Sequence, residues 1–122
     1  MAKILVVEDE SHMLQRIKIR LEANSYEVIT ASDGQEGLNK AREERPDLII
    51  LDIMLPKLDG YQVCRMLKFH KKYSKIPIIM LTALGQKDDR EWGGKVNADM
   101  YMTKPFQAEE LLEKIKSLII KE

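Results

Sequence analysis

The sequence holds one cysteine, four prolines, one tryptophan and no net charge. The single cysteine, Cys64, excludes an internal disulfide and suits a reducing, cytoplasmic setting. Twenty basic residues balance twenty acidic ones, which excludes a general polyanion binder, because nucleic acid calls for a net basic face. The same balance argues against a strongly basic membrane-surface protein. No apolar run approaches the ~20 residues that span a bilayer. The start, Met1-Ala2-Lys3 and then Ile4 to Val7, turns acidic too soon for a signal peptide. Internal repeats, low-complexity tracts and linkers are also missing. What remains is 122 residues, 44% apolar and 33% charged, expected to form one domain over residues 1–122. A chain of that length can bury roughly two-thirds of its unfolded surface without a disulfide or structural metal.

Two patterns alternate along it. Ile4 to Val7, Leu48 to Leu51 and Ile78 to Leu81 are apolar at every position, as strands buried on both faces are. Val28 to Ala31 and Asp99 to Met102 are weaker strands, suited to a sheet edge. Helical spacing of apolar residues covers Ser11 to Ala23, Gln35 to Glu44, Asp59 to Lys72 and Gln107 to Lys121. Asp88 to Lys95 is a poorer helix, weakened by Gly93-Gly94. The order is βα five times, which predicts an open, doubly wound α/β fold with a parallel sheet and right-handed crossovers. The last helix closes the sequence, so no second domain is expected.

In such sheets ligands sit beyond the carboxyl ends of the strands. The first strand ends at Glu8-Asp9, the third at Asp52, the fourth at Thr82-Ala83, and the fifth is followed by Lys104-Pro105. Two carboxylates about 5 Å apart repel by on the order of 3 kcal/mol at an effective dielectric near 20. Lys104 alone cannot neutralise three of them. Hard oxygen ligands with surplus negative charge select Mg²⁺. A metal, a lysine and a hydroxyl around a fixed carboxylate suit phosphoryl chemistry, with Asp52 as nucleophile. Each residue also has a plainer reading. Asp52 could cap a turn, Glu8 and Asp9 could cap the following helix, Lys104 could be a solvated loop residue, and Thr82 and Tyr101 could simply pack.

The segments Val7-Glu8-Asp9-Glu10, Leu51 to Gly60, Leu81-Thr82-Ala83 and Tyr101 to Phe106 together resemble the receiver domain of two-component response regulators. The resemblance covers essentially the whole chain and implies a flavodoxin-like (βα)5 fold with strand order 2-1-3-4-5. It implies that Asp52 is the phosphoacceptor. Glu8, Asp9, Asp52 and the Met54 carbonyl match the Mg²⁺ site. Thr82 and Lys104 match the catalytic groups that receive the phosphoryl oxygens, and Thr82 and Tyr101 match the switch pair. The Lys104–Pro105 bond is expected to be cis. A histidine kinase or histidine phosphotransfer protein is the implied donor, docking on Ser11, His12, Gln15, Arg16 and Ile19; Ile19 falls opposite the apolar face of its helix. An unknown output partner is expected on the fourth helix, fifth strand and fifth helix. A domain of this kind is not an independent enzyme, since it catalyses only its own phosphorylation and dephosphorylation.

Two other function classes compete. An aspartyl-nucleophile Mg²⁺ phosphohydrolase would need a second aspartate two residues after the nucleophile, where Met54 stands. A pseudo-receiver, a binding module without phosphorylation, would not need all five polar groups. Flavin or nucleotide binding on this fold lacks a glycine-rich loop after the first strand. Departures from the family pattern also count. Asn97 stands where glycine is common, Met100 where DNA-binding regulators often carry aspartate, and the fifth helix lacks arginine. A stand-alone receiver, or one outside the winged-helix class, is expected. Lys68, His70, Lys71, Lys72 and Lys75 are read as favourable charge at a helix C-terminus and a solvated turn, and Met66 and Met80 as core filler. Met54 and Leu84 occupy the positions that influence attacking water in the family, and neither can hold a water by hydrogen bonding. Slow loss of the phosphoryl group is expected. Making both positions polar should shorten its half-life several-fold, measured as phosphate release after the donor is removed.

Overall fold

The computed structural model describes residues 1–83 and 98–119. The expected helix Asp88 to Lys95, and with it Leu84 and Asn97, lies outside the described residues. Five strands, β1 (Lys3–Val7), β2 (Glu27–Ala31), β3 (Leu48–Asp52), β4 (Ile78–Ala83) and β5 (Met100–Lys104), form one parallel sheet in the order β2-β1-β3-β4-β5. The helices are α1 (Ser11–Ala23), α2 (Gly34–Glu44), α3 (Gly60–Lys68) and a C-terminal helix (Ala108–Ile119). Among the described residues no helix is long and apolar enough to cross a membrane.

The continuous apolar runs do what two-sided burial demands. Side chains alternate across a strand. Leu5, Val7, Ile49, Leu51, Ile78 and Met80 therefore join Leu38 and Ala41 of α2 and Val63, Cys64 and Leu67 of α3 in one core cluster. Ile4, Val6, Leu48, Ile50, Ile79 and Leu81 face the other way, onto Ile17 and Leu21 of α1 and Leu111 and Ile115 of the C-terminal helix. Each buried Leu or Ile contributes about 1.5–3 kcal/mol by leaving water. β2 and β5, the two weaker patterns, are the sheet edges.

Boundaries shift where pairing outlasts the apolar pattern. Asp52 is the last residue of β3, β4 continues through Thr82 to Ala83, and β5 runs to Lys104 rather than stopping at Met102. The pairs Asp52 with Leu81, Thr82 with Thr103 and Ala83 with Lys104 keep these polar residues on the ladder. α3 stops at Lys68, four residues short of the expected Lys72, because the chain turns at Phe69 and continues as hydrogen-bonded turns. Its start is as expected. Asp59 accepts from the Gln62 N–H at 2.9 Å, and the Gln62 side chain accepts from the Asp59 N–H at 3.0 Å. The Lys104–Pro105 bond is cis.

The turn from β3 to α3 passes very close to the end of β3. Lys57 takes φ 71°, and the Gly60 N–H donates to the Ile53 carbonyl at 2.8 Å. A Cβ on Gly60 would run into the Asp52 carbonyl oxygen and sit 2.7 Å from Ile53 Cα. Both neighbours are backbone, so neither can swing aside. Gly60→Ala should therefore lower stability by about 1–3 kcal/mol, read as a lower urea midpoint at unchanged m-value.

Candidate functional site

The carboxyl ends of β1, β3, β4 and β5 bring the expected residues together. Oxygens of Glu8, Asp9 and Asp52 lie within 4.8 Å of one another. Glu8 and Asp52 are only 1% and 4% exposed, whereas Asp9 opens to solvent. Lys104 Nζ lies 3.1 Å from Glu8 Oε1 and 3.1 Å from Asp52 Oδ1. One ammonium thus bridges two of three carboxylates and leaves surplus negative charge facing Asp9. Thr82 is buried beside this group at the end of β4, its hydroxyl donating to the Ala83 carbonyl at 3.5 Å. The Met54 side chain is exposed just past β3.

The electrostatics follow from the burial. Desolvation raises the Asp52 carboxyl most, the charge on Glu8 raises it further, and Lys104 only partly offsets them, so its pKa is pushed up to about 6. Burial alone would lower the Lys104 ammonium. The Asp52 and Glu8 carboxylates outweigh that and hold it above its ordinary value. Glu8 is oriented from behind, since its Oε2 accepts from the Glu10 N–H at 3.1 Å.

The helix-capping role open to Glu8 and Asp9 falls instead to Glu10. Its carboxylate accepts from the Met13 N–H at 2.8 Å and the His12 N–H at 3.2 Å. Glu is a less usual cap than Ser or Asp. Glu8 and Asp9 are thereby left to the pocket. Two further supports were not anticipated. Asp33 caps α2 through the Glu36 N–H at 2.7 Å and pairs with Lys57 at 3.6 Å, steadying the turn after Asp52. Gly60 lets that turn close.

Tyr101 lies three residues before Lys104, the last residue of β5. Its hydroxyl is buried and has no hydrogen-bond partner among the described residues. Burial, with Cys64 nearby, pushes its pKa to about 12. Ser11, His12, Gln15, Arg16 and Ile19 are all exposed on α1, Ile19 at 63%. Arg16 and Ile19 border a groove of about 630 Å³ whose far wall includes Phe106 and Leu111.

Three clustered carboxylates, two of them paired with Lys104, at the carboxyl edge of a 2-1-3-4-5 parallel sheet, define an acidic pocket able to hold a divalent metal. Residues 4–116 match the response regulator receiver domain family, and the chain belongs to it. It is 49% identical over 117 residues to the alkaline phosphatase synthesis transcriptional regulatory protein PhoP of Bacillus subtilis, an alignment covering 96% of this chain and 48% of that protein. The chain spans about half the length of the curated relatives it matches. The receiver domain of a Syntrophus aciditrophicus signal transduction histidine kinase superposes with a TM-score of 0.94 at 34% identity, over 100% of this chain and 94% of that one. The receiver domain of the sensor histidine kinase PA1611 from Pseudomonas aeruginosa, with a magnesium ion coordinated in its active-site cleft, superposes with a TM-score of 0.90 at 33% identity, over 97% of each chain.

The raised Asp52 pKa has a stability consequence with a definite sign. A carboxyl that ionises near 6 when folded and near 4 when unfolded binds more protons in the folded state between those values. Stability without metal therefore falls as pH rises from 4 to 6 and stays lower above. Asp52→Asn should remove that fall. In EDTA at pH 7.5 the variant should be about 3 kcal/mol more stable than wild type, with little difference at pH 4, by urea denaturation.

Proposed function

We propose that residues 1–122 form one receiver domain that takes a phosphoryl group on Asp52 from a phosphohistidine donor and uses the added charge to switch an output surface. The observation that carries this is Asp52 itself, a buried, repelled carboxylate on the last rung of a central strand, bridged by Lys104 to Glu8. A carboxylate oxygen of Asp52 forms the new bond to phosphorus as the bond from phosphorus to the donor imidazole nitrogen breaks, and that bond's electron pair leaves with the imidazole. Lys104, already 3.1 Å from Asp52, exchanges a carboxylate oxygen for a phosphoryl oxygen. The Thr82 hydroxyl turns to donate to a second. Glu8, Asp9, Asp52 and the Met54 carbonyl would hold Mg²⁺, which supplies charge neutralisation for the incoming phosphoryl oxygens.

Tyr101 shares β5 with Lys104, so a change at the pocket would reach its buried hydroxyl along one strand. Thr82, Tyr101 and β5 would then bias a two-state surface. The donor, a histidine kinase or phosphotransfer protein in the cytoplasm, would dock on Ser11, His12, Gln15, Arg16 and Ile19, where the exposed isoleucine edges an apolar groove. Curated relatives are transcriptional regulators. That favours a transcriptional output over the stand-alone receiver expected from Met100 and the arginine-free last helix. Met54, two residues after Asp52, cannot serve as an acid or base, which disfavours the phosphohydrolase.

Intact-mass measurement after incubation with acetyl phosphate and Mg²⁺ should show one phosphoryl adduct, absent in EDTA and absent in Asp52→Asn. An adduct that persists in Asp52→Asn would refute the assignment, and no adduct at all would favour the pseudo-receiver. Ile19→Glu should cut phosphotransfer from the cognate kinase at least tenfold while leaving acetyl phosphate labelling unchanged. Equal loss of both reactions would remove the docking role.

A further inference from the structure

The end of α3 does not match its sequence pattern. Residues 60–75 contain Arg65, Lys68, Lys71, Lys72 and Lys75 and no carboxylate, in a chain with zero net charge. Lys68 is not part of a solvated run. Its side chain is 7% exposed, and Nζ donates to the Ile76 carbonyl at 2.7 Å and the Ser74 carbonyl at 3.1 Å and pairs with Asp99 at 2.6 Å. Asp99 in turn accepts from the Ile78 N–H at 2.8 Å. This clamp fixes the turn after α3 against the first residues of β4 and β5. The other four cations are exposed.

Two large apolar side chains stand among them. Phe69 is 64% exposed and Met66 45%, so Met66 is not core filler. At about 100° per residue, Gln62, Arg65, Met66 and Phe69 share one stripe of α3, opposite the buried Val63 and Leu67. The turn beyond is ordered rather than frayed. The His70 and Tyr73 rings lie 4.9 Å apart, and His70 Nδ1 accepts from the Lys72 N–H at 3.1 Å. Asp47 and Asp99, which border a small cavity with Lys75, are already engaged by the Lys3 N–H and by Lys68.

We propose that this stripe, Arg65, Met66 and Phe69 with Lys71, Lys72 and Lys75, is a docking surface for an acidic protein segment that carries an apolar anchor, such as an amphipathic helix with leucines on one side. Charge complementarity selects the acidic partner, and the exposed phenyl and thioether select a protein over other polyanions. Phosphates of a duplex have no apolar surface to cover Met66 and Phe69. A membrane is disfavoured, because the main apolar face of α3 is committed to the core. The clamp at Lys68 holds the surface ready, so little ordering is needed on binding. None of these residues belongs to the Asp52 pocket or to the α1 face.

The test uses the 122-residue chain and a synthetic helical peptide of about 20 residues, acidic on one side with leucines at helical spacing on the other, titrated by ¹⁵N NMR. Shift changes should centre on residues 65–75. Phe69→Ser and Lys72→Glu should each weaken binding about tenfold, while Arg42→Glu, at an exposed position of α2, leaves it unchanged. Polyglutamate of equal length should bind at least tenfold more weakly. The proposal fails if polyglutamate binds equally well, if the shifts fall elsewhere, or if no shifts occur at about 1 mM peptide. It fails equally if random duplex DNA or phosphatidylserine vesicles bind these residues more tightly than the peptide does.

Discussion

Repulsion among three carboxylates organises this molecule. Glu8, Asp9 and Asp52 come from two strands far apart in sequence, and nothing in their chemistry draws them together. They meet because β1 and β3 are adjacent and end at the same edge, and the strands are held there by apolar burial on both sheet faces. The core therefore offsets a standing electrostatic penalty that each pair sets at about 3 kcal/mol at an effective dielectric of 20. Lys104 relieves part of it, from a strand that is not a neighbour of β1 or β3.

That arrangement ties β5 to the pocket electrostatically. Lys104 ends the strand at the pocket, Tyr101 lies within it, and Asp99 precedes it, clamped by Lys68. A change in charge at Asp52 alters the pull on one end of an edge strand whose other end is fixed. Edge strands have one partner to give up rather than two, so they respond to such a pull at lower cost than β3 would. The Tyr101 hydroxyl, buried and without a hydrogen-bond partner among the described residues, lies on this same strand.

The frame and the pocket were legible because both follow from strong local signals. Continuous runs such as Leu48 to Leu51 mark two-sided strands, and the polar residue that ends each run marks the ligand edge. Strand ends were less legible. Lys104 lies on the ladder because Ala83 pairs with it, a tertiary fact that no local pattern carries. The end of α3 was misread for a related reason. Lys71 and Lys72 are good helix formers, but the buried bonds of Lys68 to the Ser74 and Ile76 carbonyls require the chain to turn back before them. Met66 was assigned to the core by residue type, although its angular position places it with Arg65 and Phe69. Glu10 was overlooked as a cap because Glu8 and Asp9 were more conspicuous.

Burial and the repulsion of Glu8 raise the pKa of Asp52, and the same repulsion among carboxylates favours a cation in the pocket. A proton and a cation compete for the same carboxylate oxygens, and both relieve the same repulsion. Replacing Glu8 with an apolar residue would lower the Asp52 pKa and free Lys104 to pair with Asp52 alone. Instead Glu8 is 1% exposed, held by the Glu10 N–H on one oxygen and by Lys104 on the other. Its carboxylate is thereby fixed close to those of Asp9 and Asp52, where a divalent cation would meet all three. Stability is given up at one point on the sheet edge, and that same point is where a cation and a phosphoryl group would each gain most by arriving.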